Sequence, residues 1–359
     1  MDNNFLVSVR CISYNHAPYI KDCMNGFTMQ ETNFPYVCVI DDDASTDGEP
    51  EVINNYLAEN FNLDDEDVVR KEETDDYHMI FAQHKINKNC FFAVYFLNYN
   101  HYSIKKSRDK YVAKYIDGVK YMAICEGDDY WIDPLKLQKQ VVFMENNQNC
   151  SLVYNRTKRY SERKKIFLSD NDNYEQSQYV RAKDIIEEGG LFVSTCSMLY
   201  LKSVIENYPQ FCIKCHVGDY PLAIMCAMKG DVYYLNEAMS VYRVDNSNSW
   251  VGKQQSEKKM SLSRLNGIVS EVRMLQGFKT LYPQYSDSFN NRIYSFLLGN
   301  VPYRYLDARG NKMFIETFSD ELAILNKKRR AFFYLKASHL GILFHLFSFL
   351  KHKIKHLIK

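Results

Sequence analysis

Net charge is almost missing from this chain: 45 Lys and Arg stand against 44 Asp and Glu over 359 residues. Without a global field, nucleic-acid binding through bulk electrostatics is excluded, so we expect no nucleic-acid partner and only local basic surface. The opening MDNNFLVSVRCIS lacks the basic start, apolar stretch and small-residue cleavage site of a signal peptide, and we expect a cytoplasmic protein. A second cysteine pair at ligand spacing is lacking as well. Cys212-Ile213-Lys214-Cys215-His216 has the C-x-x-C-H spacing of c-type haem attachment, but an export context and an axial ligand are not in view, and a single pair does not support zinc. Several of the ten cysteines, among them Cys11, Cys38 and Cys125, lie in apolar strand-like runs and read as reduced, small hydrophobes. No internal repeat is visible.

What is present is a globular chain long enough for one large domain with an appendage. Over the first 130 residues strand-like and helix-like patterns alternate, as in an α/β sheet. Residues 5–13 and 35–42 read as strands. Ile20, Cys23, Met24 and Phe27 recur at helical spacing behind Pro18, and Val52, Ile53, Tyr56 and Leu57 do so behind Pro50. The acidic stretch 64–76 reads as a solvated loop, 78–82 as a short strand, 89–106 as a helix and 120–125 as a strand. Asp133 and Pro134 read as the N-cap and first position of a helix with Leu137, Val141 and Met144 on one face. Further on, 191–201 reads as a strand, 219–229 as a helix and 232–244 as a pair of strands, after which helical patterns take over. The expected division is therefore a catalytic domain over 1–250 and a helical region over 251–359.

Two acidic clusters each follow an apolar strand: VCVIDDDASTDG at 37–48 and AICEGDDYW at 123–131. Both should emerge at the carboxyl edge of a sheet, where open α/β folds bind ligands. Two carboxylates about 4 Å apart repel by roughly 4 kcal/mol at an effective dielectric of about 20, so Glu126, Asp128 and Asp129 need a proton, water or a cation. An oxygen-only donor set favours Mg²⁺ or Mn²⁺ over zinc, and such ions usually arrive with substrate phosphates. Gly127 suits close approach of backbone to a ligand, and Tyr130 and Trp131 can wall a pocket. Taken singly, each cluster is equally a set of turn residues and helix caps.

The ordered set is more specific: Ser13-Tyr14-Asn15 after the first strand, DDASTDG at 42–48 after the second, EGDDYW at 126–131, GDYPL at 218–222, and Tyr242-Arg243-Val244. It resembles the family 2 glycosyltransferases, inverting enzymes of GT-A fold. The resemblance implies a nucleotide-diphospho-sugar transferase fold, a Rossmann-like mixed α/β sheet, here with a C-terminal helical extension. It implies that Asp43 accepts the N3 proton of a uracil-type base, with Ser13, Tyr14 and Asn15 lining the nucleotide pocket. Asp129 would then be the first metal ligand, Asp128 a sugar or ribose contact or a second ligand, and Glu126 the first acid of the DxD-type motif. Asp219 falls at the family's catalytic base, and is also a good helix N-cap. Arg243 pairs with phosphate or sits in a buried ion pair. Many relatives carry a histidine after the Tyr-Arg pair that approaches the metal; here Asp245 stands two residues past Arg243 and is the candidate in its place. The implied donor is a nucleoside diphosphate sugar, UDP-linked in the first instance. The implied acceptor is a saccharide or lipid-linked saccharide, the cofactor Mn²⁺ or Mg²⁺, and the setting surface polysaccharide assembly.

Two other readings stay open. Asp41-Asp42-Asp43-Ala44-Ser45 approximates the nucleophile loop of haloacid-dehalogenase phosphatases, with Asp41 as nucleophile and Gly127-Asp128 with Asp133 as a metal motif, although Ser-Tyr-Asn and Gly-Asp-Tyr-Pro are then unexplained. A non-catalytic nucleotide-sugar-binding protein is the other. Arg156, Lys158, Arg159, Arg163, Lys164 and Lys165 form a solvated loop or receive an anionic acceptor; Asn87 and Lys88 touch phosphate or start a helix. Near the C-terminus Leu343, Leu346, Phe347, Leu350, Ile354, Leu357 and Ile358 recur at helical spacing beside lysines. The apolar core 340–350 would span only about 16 Å against roughly 30 Å of hydrocarbon. The segment therefore lies in a membrane interface as a peripheral contact, or covers the catalytic domain or a homodimer partner.

Overall fold

The structure, a computed structural model, describes residues 5–245 and 259–338. They form two compact units: one runs to Tyr208 and resumes at Asp219, the other joins Pro209–Gly218 to the C-terminal helices.

In the first unit, β1 (Val7–Ser13), α1 (Ile20–Thr28), β2 (Tyr36–Asp42) and α2 (Glu49–Asn60) follow the sequence pattern, with Ile20, Cys23, Met24 and Phe27 buried along α1. The acidic stretch read as a loop holds a short strand, β3 (Arg70–Glu73), antiparallel to β4 (Tyr77–Gln83). Its sequence RKEE puts charge on the last strand of the sheet, which discourages edge-to-edge pairing. The helix expected over 89–106 does not form: residues 90–97, CFFAVYFL, are all buried in β5 (Cys90–Leu97), between β2 and β4. A continuous apolar run carries no period to separate a buried helix from a strand covered on both faces.

After α3 (Asp109–Val112) come β6 (Tyr121–Ile124), β7 (Tyr130–Trp131) and α4 (Lys136–Asn146). The last begins at Lys136 rather than Pro134, because Asp133 Oδ1 first accepts the Leu135 N–H (2.8 Å) in a turn. Next are β8 (Cys150–Ser161), β9 (Ile166–Phe167), β10 (Gln178–Val180), α5 (Ala182–Glu188) and β11 (Leu199–Leu201). Arg156, Lys158 and Arg159 thus lie in a strand and not in a loop. Of the strand expected over 191–201 only β11 is extended, behind a 3-10 turn at Thr195–Ser197. The short α6 (Gln210–Ile213) belongs to the second unit, and the chain returns with α7 (Asp219–Lys229) and β12 (Asp231–Val244). The expected strand pair at 232–244 is one long strand parallel to β8, irregular between Leu235 and Ser240.

The sheet has the order β10-β12-β8-β11-β6-β1-β2-β5-β4-β3, with β7 beside β12 and β9 beside β8. Strands β6, β1, β2 and β5 are parallel. The chain leaves β1 on one side toward β2 and β5 and later returns on the other as β6, so the crossover direction reverses at β1. At such a switch point the carboxyl ends of the strands leave a crevice; the loops after β1 and β2 and the turn after β6 surround it.

The second unit is helical beyond residue 261: α8 (Leu262–Leu281), α9 (Ser286–Asn300), α10 (Ala308–Thr317), α11 (Ser319–Ala323) and α12 (Lys327–Ala337). Side chains of Ser261, Asp307 and Asn326 accept N–H groups in the first turns of α8, α10 and α12, which satisfies donors the helix cannot. Leu275, Phe278, Phe289, Phe314 and Phe333 are buried. In this C-x-x-C-H, His216 Nδ1 lies 2.9 Å from Ser270 Oγ and Cys212 is buried, while Ile213 and Lys214 are exposed; all ten cysteines are free. Among the described residues no helix is long and apolar enough to cross a membrane. The amphipathic segment 343–359 lies outside the described residues.

Candidate active site

The loops leaving β1 and β2 are hydrogen-bonded to each other. Asn15, at φ 58°, donates its N–H to Ser45 Oγ (2.8 Å) and accepts the Thr46 N–H at Oδ1 (2.8 Å). Glu49, first residue of α2, is fully buried beneath them. Its Oε1 accepts the Ser13 hydroxyl, and its Oε2 accepts the His16 N–H (2.7 Å) and the Ser45 hydroxyl (2.9 Å). A carboxylate in the first turn of a helix is also favoured by the dipole. Ser13 is therefore committed to the loop frame, while Tyr14 is 40% exposed.

The three aspartates closing β2 have separate duties. Asp41 is 1% exposed and ion-paired with Arg10 (2.6 Å). Its charge is thus committed to a structural ion pair with Arg10, which does not support the nucleophile of the phosphatase reading. Burial pushes the Asp42 carboxyl up to about 7. Asp43 accepts the His101 N–H at Oδ1 (2.7 Å) and the Tyr102 N–H at Oδ2 (3.1 Å), while its carbonyl accepts from Asn100 (3.0 Å) and Arg108 stands 3.7 Å away. Sequence reasoning gave Asp43 a ligand and missed this anchoring of the 100–108 segment.

The 126–131 turn presses against the β1 loop. The Gly127 N–H donates to the Ile12 carbonyl (3.1 Å), and a Cβ there would stand 2.1 Å from Ser13 Oγ, so the approach requires glycine. Trp131 holds the turn from behind. Its indole N–H donates to the Cys196 carbonyl (2.8 Å), and the Lys136 ammonium lies 4.2 Å from the ring centroid. Asp129 Oδ1 accepts the Arg243 N–H (2.8 Å). Asp129 Oδ2 and Glu126 Oε2 are buried and have no hydrogen-bond partner among the described residues. Burial first, and then the charge of Asp128, push the Glu126 carboxyl up to about 8 and that of Asp129 well above the usual range. Asp128 stands 3.8 Å from His16 Nε2.

Arg243 braces this turn. Its Nε donates to Glu162 (2.7 Å), one terminal nitrogen donates to the Asp128 carbonyl (2.8 Å) and the other to Asp22, and its guanidinium lies 4.3 Å from the Tyr130 ring centroid. With each guanidinium nitrogen bonded to protein, the buried ion pair, rather than the phosphate contact, describes it here. Asp219 opens α7, its Oδ1 accepting the Tyr220 N–H (2.8 Å). Burial raises its carboxyl, and its charge contributes to raising that of Glu126. Asp245, exposed at φ 59° past β12, accepts the Ser161 hydroxyl (2.6 Å). Asn87 lies at the opposite end of β5 and donates to the carbonyls of Thr28 (3.1 Å) and Gln30 (2.7 Å). It can neither reach phosphate at the carboxyl edge nor begin a helix. Glu49, His16, Arg108, Glu162 and Lys136 were not singled out by sequence; only the position of Glu49 at the head of a helix behind Gly48 carried a signal.

Among the described residues no three His, Cys, Asp or Glu side chains form a ready metal site. The orphaned oxygens of Glu126 and Asp129 nevertheless suit a hard cation, since Mg²⁺ and similar ions commonly take one or two carboxylates and complete their shell with water and substrate phosphates.

Comparison with known proteins adds the family. Uncharacterized protein Rv1520 of Mycobacterium tuberculosis is 26% identical over 272 residues, covering 75% of this chain and 67% of its own length. Uncharacterized protein Mb1547 of Mycobacterium bovis matches to the same extent. Among solved structures, S. aureus TarS 1-349 in complex with UDP-GlcNAc is 12% identical with a TM-score of 0.45, covering 92% of this chain and 90% of that one. Mannosyltransferase PcManGT from Pyrobaculum calidifontis, in complex with GDP-Man and Mn2+, is 12% identical with a TM-score of 0.49, covering 92% and 79%. Residues 8–208, more than half of the chain, match the model of glycosyl transferase family 2. With that match laid over a mixed sheet whose carboxyl edge gathers the acidic turn, the chain belongs to glycosyl transferase family 2.

Proposed function

We propose that the protein transfers a sugar, with inversion, from a nucleoside diphosphate donor, UDP-linked in the first instance, to a hydroxyl of a saccharide or lipid-linked saccharide in surface polysaccharide assembly. The observation that carries this reading is the pair of buried carboxylate oxygens, Glu126 Oε2 and Asp129 Oδ2, left without partners among the described residues on the turn after β6 at the β1 switch point. Asp219 takes the proton of the acceptor hydroxyl, and a carboxyl raised by burial is a stronger base for that task. Tyr14 and Asn15 line the nucleotide side with Ser13 fixing their loop. Asp43 keeps lone-pair positions beyond those used by His101 and Tyr102, since a carboxylate offers about four, and these address the imide N–H of the base. Asp129, with Asp128 and with Asp245 as a further candidate, would hold Mn²⁺ or Mg²⁺, which when bound neutralises charge on the departing diphosphate. Arg243 keeps the 128–129 backbone in register with β12.

A thermal-shift screen of nucleoside diphosphates and their sugars, with and without Mn²⁺, tests the reading. A ligand at 100 times its Kd stabilises by about 2.7 kcal/mol, and the largest shift is expected for a uridine compound with the cation. No shift with any nucleotide would sink the proposal; a shift without turnover on any saccharide would favour the non-catalytic alternative.

A further inference from the structure

Resting on that reading, the inference concerns the acceptor. A cavity of about 500 Å³ opens in the first unit, away from the nucleotide loops, lined by Asn171, Asn173, Tyr174, Arg181, Glu188 and Phe192 among others. Its size is that of a small-ligand site. Tyr174 and Phe192 meet edge to face at 6.2 Å in its lining, with Tyr234 buried behind Tyr174 at 5.8 Å, so the wall has an aromatic part. Asn171 and Asn173 are tied to it by their amide nitrogens, which donate to the carbonyls of Leu191 (3.1 Å) and Phe192 (3.0 Å). Asn173 Oδ1 has no hydrogen-bond partner among the described residues. On the rim, Leu191 is 80% exposed, an apolar side chain held in water beside a polar cavity.

The cavity adjoins the proposed base. The Tyr220 hydroxyl donates to the Ile186 carbonyl (2.6 Å), and a Cβ on Gly190 would meet Tyr220 Cβ at 3.3 Å. Asp219 precedes Tyr220, and Leu191 follows Gly190, with Glu188 two residues before that glycine. The rim residue Leu191 thus follows a glycine packed on Tyr220, the neighbour of Asp219 in the chain. Its charge excludes an anionic ligand: Arg181 is spent on Asp184 at 2.9 and 2.8 Å, and Glu188 is exposed beside it. Aromatic faces with planar amide and carboxylate groups suit rings that carry several hydroxyls. We propose that this cavity is the acceptor subsite, and that it takes a neutral saccharide.

Saturation-transfer NMR on the full chain, without nucleotide, tests it with methyl β-glucopyranoside, methyl α-mannopyranoside, methyl N-acetyl-β-glucosaminide and, as the anionic arm, methyl glucuronide. At least one neutral glycoside should receive saturation and the glucuronide should receive least. Leu191→Asp, on the exposed rim, and Asn173→Leu should each weaken the bound glycoside about tenfold, as expected for loss of one buried contact or hydrogen bond, with UDP binding unchanged. Leu191→Asp should also raise the acceptor KM. Saturation of no neutral glycoside, preference for the glucuronide, or binding that survives both substitutions would overturn the subsite. Failure of UDP to bind would instead strike the proposed function, because glycoside binding is read independently of nucleotide.

Discussion

Two acidic stretches leave the same edge of one sheet, and they are treated differently. After β2, Asp43 and Glu49 are buried and bonded, Asp43 to two backbone N–H groups and Glu49 to two hydroxyls and an N–H, and Asp41, though one of its oxygens has no partner among the described residues, is neutralised by Arg10 at 2.6 Å. After β6, Asp129 is buried and Glu126 half-buried, and each keeps a buried oxygen without a partner among the described residues. A carboxylate given donors lends its charge to the frame. One denied donors is pushed toward its protonated form and favours whatever positive charge arrives. The first stretch shapes the crevice, and the second, in our reading, meets the ligand.

The contrast breaks most visibly in turnover. Asp219→Asn should lower kcat by about 10² to 10⁴ with the UDP thermal shift retained. Asp129→Asn should abolish the Mn²⁺-dependent part of that shift while raising the melting temperature of the ligand-free protein, because it removes a buried charge among like charges. An intact Mn²⁺ response in Asp129→Asn would mean that the second stretch is not the ligand side. Next in size is the frame: Glu49→Ala leaves Ser13, His16 and Ser45 donors unsatisfied and should cost about 3 kcal/mol in urea unfolding, with Glu49→Gln recovering part of it.

A smaller effect sharpens the same comparison through pH. The folded-state Glu126 carboxyl lies at about 8 against an ordinary 4.5, so the folded protein holds the proton more tightly than the unfolded chain. Its contribution is present below about pH 4.5 and is lost as pH rises toward 8. Ligand-free melting temperature should decline over that window, and Mn²⁺ with UDP should flatten the decline; a pH-independent gap between the two melting curves would contradict it. Smallest is Lys136→Met, which replaces a buried ammonium, lowered to about 7 by burial, with a side chain of similar bulk. Unfolding at pH 6, where the lysine is charged in both states, should show the variant no less stable than the parent, and more favoured there than at pH 9.

Much of the frame was legible from local pattern. The helical faces of α1, α2 and α4 and the strands β1, β2 and β6 each have a period or a turn signal. β5 was misread because an unbroken apolar run has none, and β12 because irregularities near Leu235 and Ser240 look like a turn along the chain. Glu49 passed unnoticed as one more acid at a helix start, since its partners at Ser13 and His16 lie 36 and 33 residues away. Arg243 offered a phosphate contact or an ion pair with equal force until Glu162 and Asp22 were seen beside it.

By itself the sequence determined the order of the motifs, and with it the family, because each is a short string tied to one strand end. It determined too that acids would gather at a carboxyl edge. Only the tertiary structure decided which of them are spent and which remain open, for that depends on donors brought from distant segments into a water-poor crevice, where a single N–H changes what a carboxylate does.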